Sequence, residues 1–150
     1  MLKPLYRSTP VDGTVAADAL ISVPYVGGCP GGIGANGIYG TLVDANYCGV
    51  LVNASTVDIA NGKAAFYAGV VKVAMWRGVT GTDPEVDAFC PFDITTAWAI
   101  GSQLYIRNMG AYAIWSSVNY DGGFSHGFVT KAPASASDTL EGWFIERRIS

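Results

Sequence analysis

Two short stretches of this chain carry the spacing of a chemical motif. Gly123-Phe124-Ser125-His126-Gly127 matches G-x-S-x-G, in which a strained turn between a strand and a helix exposes a serine nucleophile. Such a serine needs a histidine base that arrives from elsewhere, later in the chain. His126 is the only histidine and lies inside the motif, while Phe128 and Val129 lead into an extended run. The expectation is a turn ahead of a strand, with no catalytic residue. A lone histidine also argues against any histidine-rich metal site.

Gly32-Ile33-Gly34-Ala35-Asn36-Gly37 matches G-x-G-x-x-G, the spacing that lets a helix N-terminus receive a dinucleotide pyrophosphate. The next residues, IYGTLVDANYCGVLVN, are two β-type runs across a turn, so no helix dipole would face the loop. No cofactor is expected. Asp83, Glu85 and Asp87 alternate, and in an extended segment their carboxylates would share one side and offer oxygen ligands to calcium. No EF-hand spacing accompanies them, so a solvated acidic loop without metal is the expectation. Cys29, Cys48 and Cys90 are odd in number, far apart and free of C-x-x-C spacing, which predicts buried free thiols in a reducing compartment.

Trp76, Trp98, Trp115 and Trp143, with Tyr105 and Tyr112, have flat apolar faces that suit sugar rings or a protein core equally. Trp98, Trp115 and Trp143 each sit in a strand-like run among apolar or small neighbours, which favours core or subunit contact.

The elements that must position these residues are short β-strands. Runs rich in Val, Ile, Tyr, Phe and Trp alternate with Gly, Asn, Asp and Pro from Leu20 onward. Strands are predicted at Leu20 to Val26, Gly37 to Val43, Tyr47 to Asn53, Ser55 to Ile59 and Ala64 to Met75. More follow at Thr95 to Ile100, Gln103 to Asn108, Tyr112 to Val118, Gly127 to Lys131 and Leu140 to Arg147. Asp44-Ala45-Asn46 is predicted to join two of them in a hairpin. The run GGCPGGIGANGIYG from Gly27 to Gly40 is predicted to be a long irregular loop, and APASASD, Ala132 to Asp138, a second loop. One short helical turn at Asp83-Pro84-Glu85 is the most helix the pattern allows. The expected fold class is all-β: a single-domain β-sandwich or β-barrel of about ten short strands.

Residues 1–19 hold Pro4 and Pro10, small residues and few large apolar groups, and read as an extended N-terminal arm ahead of a single β domain at 20–150. Leu2, Leu5 and Tyr6 are positioned to anchor that arm on a neighbour, although a frayed terminus has the same composition.

Half of the 150 residues are hydrophobic and 14% are charged, against roughly 25% charged in ordinary soluble domains. Charged residues are depleted and aromatics enriched at interface centres, so four Trp, eight Tyr and six Phe point toward oligomer or assembly. A net charge of −3 opposes phosphate neutralisation, and nucleic acid is not an expected partner. No membrane span is expected, because the most apolar stretch, Phe66 to Trp76, is far shorter than the roughly 20 residues required and contains Lys72. MLKPLYRSTPVDG lacks the continuous apolar core of a secretory signal, which predicts synthesis in a cytoplasm.

Taken as a series, GIYGTLVDANYCGVLVN, KAAFYAGVVKVAM, ITTAWAIGSQLYIRNMGAYAIWS and HGFVTKAPASASDTLEGWFI resemble a family of small phage capsid decoration proteins, also called cement or head-stabilising proteins. The pieces that carry the resemblance are Gly69-Val70-Val71, Gly101-Ser102-Gln103-Leu104-Tyr105, Gly127-Phe128-Val129 and Asp138 to Ile145, spread over residues 20–146. The chain departs from the family in its arm, its glycine-rich loop and the insertion from Trp76 to Asp93. The resemblance implies a virion structural protein, not an enzyme. It would bind the major capsid protein on the outer capsid surface, often as a homotrimer, after assembly in the host cytoplasm. Leu2, Leu5, Tyr6, Arg7, Trp76 and Arg77 are the candidate capsid or subunit contacts. A carbohydrate-binding or fibre/head-attachment module of a virion is the alternative.

Overall fold

The computed structural model describes residues 11–14, 27–34, 37–40, 47–51, 63–74, 90–110 and 113–145. These residues form ten strands and no helix, so the described part of the chain is all-β. In chain order the strands are β1 (Val11–Thr14), β2 (Pro30–Gly34), β3 (Gly37–Gly40), β4 (Tyr47–Leu51) and β5 (Lys63–Tyr67). Then come β6 (Gly69–Val73), β7 (Tyr105–Asn108), β8 (Ala113–Ser116), β9 (Gly127–Lys131) and β10 (Leu140–Phe144). They pair as a sheet ordered β1-β5-β4-β2-β3, a second ordered β6-β10-β9, and the hairpin β7-β8.

Alternation explains the second sheet. In β6 Gly69, Val71 and Val73 are buried and Val70 and Lys72 exposed, while in β10 Leu140, Gly142 and Phe144 are buried. In β9 Val129 is buried between exposed Phe128 and Thr130. Successive side chains of a strand point to opposite faces, so each strand sends one face inward and one outward. By contrast β4 and β8 are buried along their whole length.

The inward side chains Val71, Val73, Val129, Leu140 and Phe144 meet Tyr47, Val50, Phe92, Leu104, Ile106 and Trp115 in one core. Trp115 is at its centre, edge-on to Tyr47 at 5.6 Å and to Phe144 at 4.8 Å between ring centroids. Its buried indole N–H donates to the Gly28 carbonyl at 2.9 Å, which satisfies the one polar atom that burial would otherwise penalise.

Four sequence expectations change. The glycine-rich run is not a long irregular loop, since Pro30–Gly34 and Gly37–Gly40 pair as a hairpin in which Gly34 faces Gly37. Glycine lowers strand propensity, but backbone pairing needs no side chain. The expected hairpin across Asp44-Ala45-Asn46 is replaced as well, because β2 lies between β3 and β4. The run Ala64 to Met75 is two strands, broken at Ala68, that belong to different sheets. Gly69 has φ of +89°, a conformation that L side chains rarely adopt, and it lets the chain turn from one sheet to the next. Finally, Thr95 to Ile100 is a turn-rich loop and not a strand. The Asp93 carboxylate accepts from the Thr95 N–H at 2.9 Å and from its hydroxyl at 2.6 Å, competing with any ladder for the backbone there.

Other expectations hold in outline. β9 spans the predicted Gly127 to Lys131, and β3, β4, β7, β8 and β10 each lie within a predicted run. Val11–Thr14 falls inside the stretch read as an arm, yet it pairs antiparallel with β5 and so belongs to the sheet. The predicted strands Leu20 to Val26 and Ser55 to Ile59, and the turn at Asp83-Pro84-Glu85, lie outside the described residues.

Candidate interaction surface

Of the residues singled out from the sequence, Leu2, Leu5, Tyr6, Arg7, Trp76, Arg77, Asp83, Glu85, Asp87 and Tyr112 lie outside the described residues. Ser125 and His126 are described, and the chain after them is strand β9. The Ser125 hydroxyl donates to the Gly127 carbonyl at 2.9 Å. The His126 ring is fully buried, packed 4.2 Å from the Tyr47 ring and 5.1 Å from that of Phe124. The G-x-G-x-x-G glycines are divided between the two strands of the β2-β3 hairpin. Among the described residues no group of three or more His, Cys, Asp or Glu could hold a metal ion. No helix among them is long and apolar enough to cross a membrane.

Cys29, Cys48 and Cys90 form no disulfide with one another, and Cys29 and Cys48 are buried and Cys90 half-buried. Burial pushes the Cys29 thiol far above its ordinary range, and it raises Cys90 too, although the Cys90 thiol donates to the Phe92 carbonyl at 3.1 Å. Burial likewise raises the Tyr47 phenol, whose hydroxyl donates to the Ile145 carbonyl at 3.0 Å.

The aromatic residues divide by environment. Trp115 is core, and Trp98 is half-buried with its indole N–H donating to the Asp93 carbonyl at 2.7 Å. Trp143 belongs to the outer face of the β6-β10-β9 sheet, where antiparallel register sets it opposite both Val70 and Phe128. Directly opposite residues share a face, so Val70, Trp143 and Phe128 form one cross-strand row. A bridge from Phe128 to Gln103 carries the row one step further, because segment 101–104 runs beside β9. Val70 is 53% exposed and Phe128 47%, while Trp143 is half-buried and stacks on Phe128 with centroids 6.0 Å apart and planes 17° apart.

A second row on the same face is charged. Glu141 lies opposite Lys72 on one side and Lys131 on the other, and the Lys72 ammonium is 3.7 Å from the Glu141 carboxylate. Lys131 is committed elsewhere, to Asp138 at 2.9 Å and to the Thr139 carbonyl at 3.0 Å. Asp138 also accepts from the Ala134 and Thr139 N–H groups, and these bonds, led by that from Ala134, lower its carboxyl to about 2. They fold the small-residue loop into a fixed turn.

Further exposed apolar side chains are Ile94, Ile100, Met109, Val118, Tyr120 and Phe124, all in the connections around β7 and β8. A cleft of about 270 Å³ opens between the loops at 92–98 and 133–135, lined by Phe92, Ile94, Trp98 and Pro133. The first of those loops is held by Asp93, which is 3% exposed and paired with Arg107 of β7. Burial alone would raise the Asp93 pKa. The Thr95 hydroxyl and N–H and the Arg107 guanidinium outweigh it and hold the carboxyl below the usual value. Arg107 lies 4.0 Å over the Tyr120 ring, so one side chain ties Asp93 to the 117–123 connection.

The apolar row was not singled out in the sequence. Its residues lie in the apolar-rich runs GVVKV, GFVTK and LEGWF, but which face turns outward and which residues stand opposite each other depends on register. No protein-family model, no curated protein and no solved structure matches this chain.

Proposed function

We propose that this chain is a non-enzymatic structural protein of a virus particle, which binds the major capsid protein on the outer capsid surface as a homo-oligomer and stabilises the shell. The observation that carries this reading is the amount and placement of exposed apolar surface. Among the described residues eight large apolar side chains stand open to solvent, some in an ordered row on a strand face and the others in the loops around β7 and β8. Contiguous apolar surface on a folded domain marks contact with partners. A chain with only 14% charged residues has little charge to desolvate when its surface is covered.

In this reading the three sets of paired strands close into a β-sandwich or barrel around Trp115, and the exposed groups lie on a rigid frame. A protein that binds the assembled shell but not its free subunits shifts the equilibrium toward assembly by mass action. The test is co-sedimentation with capsids assembled from the major capsid protein of the same genome, followed by heating with and without the bound chain. Saturable binding and a higher disassembly temperature are expected. Absence of binding would end this reading, and a glycan that perturbs tryptophan fluorescence while capsids do not bind would replace it with the carbohydrate-binding one.

A further inference from the structure

We infer that the outer face of the β6-β10-β9 sheet is a self-association surface, on which a second copy of this chain docks about a two-fold axis. This rests on the reading of the chain as an interaction protein and names the face it uses for its own copies.

Strand register supplies the complementarity. Val70 and Trp143 lie side by side on β6 and β10, and Lys72 and Glu141 lie side by side two residues along. Place a two-fold axis parallel to the strands and midway between β6 and β10, with a second sheet packed face to face about 10 Å away. The rotation lays β6 of each copy over β10 of the other. Val70 then meets Trp143 of the second copy, and Lys72 meets its Glu141, so both rows are self-complementary at once. Centring the axis on β10 instead would set Glu141 on Glu141, like charge on like charge, which is disfavoured.

Charge makes a second copy a better occupant than a neutral glycan. The Lys72–Glu141 pair is loose, at 3.7 Å with the lysine side chain 63% exposed, so both groups are available to a partner of opposite sign. Three strands of five residues present only about 250 Å² of flat face, well below the roughly 800 Å² per partner of a standard stable interface. The pair is therefore weak in isolation, and its natural setting is a surface on which copies are already concentrated.

The test uses charge reversal and mixing. Lys72→Glu puts two neighbouring carboxylates on one face, and Glu141→Lys puts two neighbouring ammonium groups there. Each variant alone repels its own copies, whereas an equimolar mixture places opposite charges at both contacts. By sedimentation velocity at tens to hundreds of micromolar, the wild-type chain is expected to show a reversible dimer. Each single variant should associate about tenfold or more weakly, and the mixture should recover wild-type association. Restoration by mixing cannot come from the internal Lys72–Glu141 pair, since neither chain in the mixture contains it. Val70→Arg, at an exposed position that leaves the fold alone, should also abolish the dimer.

A monomer at all these concentrations, a trimer, or a mixture no better than its components would overturn the inference. Capsid co-sedimentation of the same variants keeps the two readings apart. Loss of the dimer pattern with capsid binding intact removes only this inference, and a normal dimer that ignores capsids removes only the proposed function.

Discussion

Replacing Asp93 tests whether one buried carboxylate organises the loop that lines the cleft. Its side chain accepts both bonds from Thr95 and the ion pair from Arg107, and its carbonyl accepts from Trp98. Its own N–H donates to the Trp115 carbonyl at 2.8 Å, which ties the loop to β8 and the centre of the core. Removing one member of a buried pair typically costs about 3–5 kcal/mol. Arg107 keeps 28% of its side chain exposed and can be rehydrated when its partner is gone, so about 2–4 kcal/mol is expected for Asp93→Ala. Asp93→Asn preserves the acceptor for Thr95 and should cost about 1–2 kcal/mol, the share of the charge. Urea unfolding followed by tryptophan fluorescence measures both, and Arg107→Ala completes a double-mutant cycle.

The pH dependence of the same pair has a definite sign. Asp93 has a folded pKa below its ordinary 3.8. Its contribution is therefore fully present above that value and is lost as the pH falls through the lower, folded one. Wild type should lose this increment of stability only below about pH 4, and Asp93→Asn should lack it. If Asp93→Ala lies within about 0.5 kcal/mol of wild type, or the cycle shows no coupling to Arg107, the loop is held by something other than this carboxylate.

Two further expectations come from the core. Gly127 has φ of +146°, and a Cβ there would overlap the Trp143 carbonyl oxygen. Gly127→Ala must push β9 away from β10 as well as strain the backbone, so a loss of about 3 kcal/mol or more is expected, and an unchanged melting temperature would contradict the β9–β10 register. Burial raises both Cys29 and Cys90, so the native chain at pH 7 should react with a thiol reagent slowly, and at Cys90 before Cys29 or Cys48. Mass spectrometry of the first adduct checks this, and prompt labelling of Cys29 would show that the site is open.

Where sequence reasoning succeeded, the cue was local. Gly127 to Lys131 places Phe, Val and Thr, all strand formers, next to turn signals, and it forms a strand over the predicted range. The run after Ser125 and His126 reads as extended, and strand β9 follows there. Where it failed, the deciding interaction was distant or absent from the residue pattern. Thr95 to Ile100 contains strand-forming residues, but Asp93 takes its first backbone N–H and Arg107, fourteen positions away, holds Asp93. The glycine run has no side-chain pattern to read, and pairing with β3 and β4 on its two sides makes β2 a strand.

From the sequence alone came the all-β character, most of the strand positions among the described residues, and the scarcity of charge. These follow from periodicity and composition, which neighbouring residues express locally. The tertiary structure decided strand order, the division of 63–73 between two sheets, and the outward row of Val70, Trp143 and Phe128. The reason is that a one-residue shift of register would exchange the faces of a strand, and register is set by partners far away in the chain.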